Sequence, residues 1–114
     1  MKKTLLLSFI LTGILFGSTY TTTEAIEHIG ENATVCGTVF GGYYGKKLRG
    51  QPTFINLDGS YPNQIFTIVI WGSDRYKFSV PEVRYTNKKI CVSGIIDSYK
   101  GKPQIVVKNK SQIN

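Results

Sequence analysis

The chain has 114 residues, with 14 lysines and arginines against 7 aspartates and glutamates, one histidine and two cysteines. His28, Cys36 and Cys91 together reach only three donors, short of a closed zinc site, and a lone histidine with no second base is a poor start for a hydrolytic triad. The length allows one domain with a modest core and excludes two.

Met1-Lys2-Lys3-Thr4 followed by the mostly apolar run Leu5 to Gly17 reads as the n-region and h-region of a secretory signal peptide. A spanning helix needs about twenty apolar residues, and Thr12, Gly13, Ser18 and the polar run Thr19 to Thr23 cut this one short, which disfavours a retained anchor. No Cys follows the apolar run, so a lipid-modified N-terminus is not expected. Two cleavage points compete. Thr23-Glu24-Ala25 satisfies the small-residue rule, whereas Thr21-x-x-Glu24 looks like a capping box opening a short helix through Ala25, Ile26 and Ile29 that stops at Gly30. A cut after Ala25 would remove the first turn of that helix, so the preferred cut lies between Gly17 and Tyr20. The expected division is a signal peptide over 1–19 and a mature domain over 20–114.

An exported protein, periplasmic or secreted, with no stable membrane insertion after cleavage is therefore expected. Removing Lys2 and Lys3 leaves 12 basic against 7 acidic residues, a net charge of +5. Such a surface favours polyanions without choosing among nucleic acid, acidic glycans and anionic headgroups. Asn32-Ala33-Thr34 and Asn109-Lys110-Ser111 match the glycosylation triplet, but chance matches are common and the Met-Lys-Lys start is typical of bacterial signals.

Along the mature chain, turn residues alternate with β-branched runs. Ala33 to Phe40 alternates Val35 and Val39 with Thr34 and Thr38, a half-buried strand. Gly41 to Gly50 is expected as a long flexible loop. Pro52 to Leu57 is a second strand, closed by Asp58-Gly59 and the Tyr61-Pro62-Asn63 cluster. Ile65 to Trp71 is a third, apolar enough to be covered on much of both faces; Phe66 and Trp71 are expected in the core or at an end of the sheet rather than as stacking platforms. Pro81 can open a short helix through Tyr85. Lys89 to Asp97 and Pro103 to Lys108 are the fourth and fifth strands, joined by a hairpin loop over Ser98 to Lys102.

The segments VCGTV (35–39), TFINL (53–57), TIVIWG (67–72), ICVSG (90–94) and YKGKPQIVV (99–107) resemble the OB-fold nucleic-acid-binding family. That family includes anticodon-binding domains and small exported bacterial OB proteins, some fused to nucleases. The resemblance implies an all-β, five-stranded OB-fold barrel with a short helix between strands three and four, here with a short N-terminal helix added. It also implies a ligand lying across strands two and three, flanked by the loop after strand one and the loop between strands four and five. In this chain those loops carry Tyr43, Tyr44, Lys46, Lys47 and Arg49, and Tyr99, Lys100 and Lys102, the mixture of rings and cations that single-stranded nucleic acid wants. Arg75 and Lys77 are further rim cations by charge alone.

The expectation is a non-enzymatic binding domain for single-stranded nucleic acid, with no metal and no cofactor. An oligosaccharide, an exported protein partner, or service as accessory domain to an exported nuclease are the alternatives. A nuclease itself is disfavoured because Asp58, Asp74, Glu82 and Asp97 are scattered singly. Strands one and four are antiparallel neighbours in an OB barrel. Counting faces then puts Cys36 with Thr34 and Thr38, and Cys91 with Ser93, on the same outward side, where a Cys36–Cys91 disulfide can form.

Overall fold

A computed structural model describes residues 17–114; the signal-peptide reading falls mostly on residues 1–16, outside the described residues. Six strands form one sheet: β1 (Thr19–Thr21), β2 (Asn32–Tyr44), β3 (Thr53–Leu57), β4 (Phe66–Ile70), β5 (Lys89–Tyr99) and β6 (Lys102–Val106). Their order is β1-β2-β3-β4-β6-β5, and a further pairing of β2 with β5 closes the sheet into a ring. Within the ring only β4 and β6 run parallel.

Two long strands make the closure possible. Residues 32–38 of β2 pair with β5, and its residues from Val39 to Tyr44 pair with β3. The register shifts between Val39 and Gly41, and Gly41 sits at φ 151°, so a bulge turns the strand from one neighbour to the other. In β5 the change of partner falls beside Gly94, at φ 156°, where an added Cβ would lie 2.8 Å from Ile105 Cγ2. A residue with a side chain could neither adopt that backbone readily nor fit there.

The bulge explains the first departure from the sequence reading. Gly41 to Tyr44 continue the strand instead of opening a loop, and the loop proper runs only over residues 45–52. Two short helices, Gly72–Arg75 and Pro81–Arg84, stand between β4 and β5 where one was expected. The N-terminal helix is a single 3-10 turn, Ala25–His28, and the expected capping box precedes it: Glu24 N–H donates to Thr21 Oγ1 and Thr21 N–H to Glu24 Oε1. The short β1, lying parallel to β2, is the sixth strand.

The interior is filled by alternate residues, among them Val35 and Val39, Ile55 and Leu57, Ile68 and Ile70, Val92 and Ile96, and Ile105, with Phe66 wholly buried. All five residues of β4 are buried, Thr67 being the one polar residue among them. Trp71 is different: it is exposed and its ring packs over Gly50, away from the core.

Cys36 and Cys91 are directly opposite in the β2–β5 ladder and are joined by a disulfide. Cys91 exchanges its main-chain hydrogen bonds with Asn114, so toward β2 it forms a non-hydrogen-bonded pair, the arrangement that brings Cβ atoms closest. Thr34 and Ser93 share a hydroxyl hydrogen bond of 2.8 Å on the same face, as the face count requires.

The N-terminal residues are tied into this framework. Ser18 C=O accepts from Thr34 N–H, Thr22 Oγ1 donates to the Asp58 carboxylate, and Ala25 is fully buried. Tyr20 stacks on His28 at 3.7 Å, and both reach the Glu31 carboxylate at 2.6 Å. The Tyr20 hydroxyl holds the Glu31 carboxyl below its ordinary range, with His28 adding to the effect. No helix among the described residues is long and apolar enough to cross a membrane.

Candidate functional site

On the outer face of β3, β4 and β6 lies an open groove of about 850 Å³. Its position follows from period-two alternation. Ile55 and Leu57 point to the core, so Phe54 and Asn56 must point out; Asn56 faces Thr67 of β4, which faces Gln104 of β6. These three give the groove a polar floor running across the strands.

The walls are aromatic. Phe40 and Tyr43 stand on the bulged part of β2, Tyr61 on the loop after β3, and Tyr99 at the tip of β5, with Phe54 partly buried between them. Phe40, Tyr43, Tyr61 and Tyr99 are 52, 59, 78 and 62 % exposed, so their ring faces are open to a ligand. Leu48 closes the side toward the 45–52 loop.

Among the described residues, Lys100 and Lys102 are the cations that line the groove, and none of those lining it is acidic. Lys100 and Gly101 both have positive φ, 50° and 81°, forming the primed turn that joins β5 to β6 and setting the Lys100 ammonium 5.3 Å from the Tyr99 ring. Lys102 has another task. Its ammonium donates to the carbonyls of Pro62 and Gln64, clamping the Tyr61 loop onto β6.

Of the eight residues expected at the site, the fold therefore brings together Tyr43, Tyr99, Lys100 and Lys102. Lys46, Lys47 and Arg49 are exposed on either side of Leu48 in the 45–52 loop and do not line the groove. Tyr44 does not line it: the residue faces Thr53, and the Arg75 guanidinium covers its ring at 3.6 Å. Arg75 is itself held by Thr53 at 2.7 Å and by both carboxylate oxygens of Glu82 at 2.9 and 3.1 Å, and this pairing lowers the Glu82 pKa. Lys77 is likewise committed, to Asp74 and the Lys108 carbonyl, and the Asp74 hydrogen bond raises its pKa. Neither acts as a free rim cation.

Phe40, Phe54, Tyr61 and the polar floor were not singled out in the sequence. Alternation from Ile55 and Leu57 was a sufficient signal for Phe54 and Asn56. Nothing local marks Phe40, whose outward direction depends on the bulge, or Tyr61, which reads only as part of a turn.

No model of a known protein family matches the chain, and no curated protein matches it in sequence. What the groove does has to be argued from its own chemistry.

Proposed function

We propose that the domain is an OB-fold barrel that binds single-stranded nucleic acid in this groove, outside the cytoplasm, without catalysing a reaction. The ring β2-β3-β4-β6-β5, with its one parallel pair, supports the OB reading, and the groove then lies on the face where such barrels take ligands. Here β1 is an addition to the five strands of the ring. The disulfide is compatible with an oxidising compartment.

The observation that carries the ligand class is four open aromatic rings around one groove that holds lysines and no carboxylate. Flat rings take bases by stacking, each worth about 1–3 kcal/mol. On this reading the exposed cations Lys46, Lys47 and Arg49 of the 45–52 loop and Lys100 of the groove meet phosphates.

Fluorescence anisotropy of the mature domain with labelled single strands, and with acidic oligosaccharides in parallel, tests the proposal. If three phosphates are neutralised, affinity should fall about twentyfold between about 50 and about 200 mM salt. Neutralising Lys46, Lys47, Arg49 and Lys100 should flatten that dependence, and Tyr43→Ala with Tyr99→Ala should weaken binding at every salt concentration. Absence of oligonucleotide binding at low salt overturns the reading. Salt-insensitive binding of the oligosaccharide in its place would transfer the groove to a glycan.

A further inference from the structure

The floor of the groove has more hydrogen-bonding capacity than the protein uses. Asn56 is 7 % exposed, and its amide makes no hydrogen bond with any described residue and is reached by solvent from the groove. Beside it, Gln64 Nε2 reaches Thr67 Oγ1 at 3.4 Å while Gln64 Oε1 is buried with no partner among the described residues. Whichever way that amide is turned, one end meets Thr67 and the other has no partner among the described residues. Thr67 is itself 8 % exposed, and Gln104, the last groove-lining residue of the row before Asp97 of β5, makes no side-chain hydrogen bond to any described residue.

These groups are uncharged and carry donors and acceptors together. Phosphate would be met by ammonium or guanidinium groups, such as Lys100 beside Tyr99 or the exposed Lys46, Lys47 and Arg49 of the 45–52 loop, and not by this neutral floor. A ring lying against the aromatic walls would instead present a neutral edge to the floor, and a nucleobase edge alternates donors and acceptors in one plane. The row crosses three adjacent strands, about 10 Å in all, so it is a single patch rather than a track along the nucleic acid.

Building on the nucleic-acid reading above, we infer that Asn56 and Gln64, supported by Thr67 and Gln104, read the edge of one nucleobase, so that binding is base-selective rather than sequence-neutral. Rings alone would tolerate every base, because every base has a stackable face. Amides that remain unpaired when the wrong base is present penalise it, and a good bidentate contact discriminates by about tenfold or more.

The test is anisotropy of the mature domain with deoxythymidine, deoxycytidine and deoxyadenosine oligomers about ten nucleotides long. One oligomer should bind about tenfold more tightly than the weakest. Asn56→Ala and Gln64→Leu should each lower affinity for the preferred oligomer toward the others, leaving those others within about twofold. Thermal melting of both variants accompanies the titrations, and because Gln64 lies in a surface loop its variant provides the answer should Asn56→Ala fold poorly. Equal affinity for all three oligomers, or a parallel loss for all three in the variants, overturns base reading while leaving the nucleic-acid proposal standing. Binding to none of them overturns both.

Discussion

Replacing Cys36 and Cys91 together by alanine should cost the domain about 4 kcal/mol. The bridge closes a loop of 55 residues, and the chain-entropy relation gives that figure for a loop of this length. Other contributions are smaller here. Both cysteines are half-buried on the outward face, so truncation opens no core cavity, and the neighbouring Thr34–Ser93 hydrogen bond does not involve them. For a domain of this size 1 kcal/mol is worth about 4–8 °C, so the melting temperature should fall by roughly 15–30 °C. Urea unfolding followed through Trp71, the single tryptophan, measures the free energy, and the parent under reducing conditions should match the double variant. A double variant within about 1 kcal/mol of the parent would show that the closed ladder alone holds β2 to β5, and the entropic argument fails. If instead the variant falls and the reduced parent does not, the loss comes from packing of the sulfurs.

Glu82→Gln should lower stability at neutral pH by about 1–2 kcal/mol and also reduce its pH dependence, because Arg75 is left with a neutral partner. The Arg75 hydrogen bonds depress the Glu82 pKa in the folded state, so the parent has this stabilisation in full above the ordinary value of 4.5 and loses it as pH falls through the folded value; melts at neutral and acid pH that shift equally in parent and variant would refute the assignment. If the N-terminal segment is a cleaved signal as proposed, intact-mass measurement of the processed protein should find an N-terminus between Ser18 and Tyr20, since a start at Ile26 would discard β1, the Thr22–Asp58 hydrogen bond and the buried Ala25. Recovery of a stable domain beginning at Ile26 would show those contacts to be dispensable.

The strands were legible because each carries its own signal. Val35 and Val39 against Thr34 and Thr38, or Ile55 and Leu57 within PTFINL, mark buried faces without help from the rest of the chain. The disulfide was legible for the same reason, once β2 and β5 were taken as antiparallel neighbours: parity alone puts both cysteines outside. Helix number was not. Gly72–Arg75 has no apolar period and no side-chain cap, and it forms because Gly72 N–H donates to Gly50 C=O and the chain must turn off the end of β4. The length of the first loop was misjudged at Gly41, where a glycine that elsewhere marks a turn marks a bulge inside a strand.

The same bulge decides how the charge of the chain should be interpreted. Composition counts every lysine and arginine alike, but the fold divides them. Lys102 clamps the Tyr61 loop, Arg75 lies between Tyr44 and Glu82, and Lys77 is tied to Asp74, so these three hold structure in place. Lys46, Lys47 and Arg49 remain exposed in the 45–52 loop, and Lys100 is exposed in the groove lining. The bulge at Gly41 sets Phe40 and Tyr43 on the outer face, where they line the groove together with Tyr61 and Tyr99. If the groove takes a single strand as proposed, these cations act on its backbone and the wall rings on its bases. Removing rim charge should change how affinity depends on salt, whereas removing a ring should subtract a similar free energy at every salt concentration, about 1–3 kcal/mol for each stacked base. A groove in which both kinds of substitution changed the salt dependence equally would not be divided in this way, and its rings would be packing over the rim instead of stacking on a ligand.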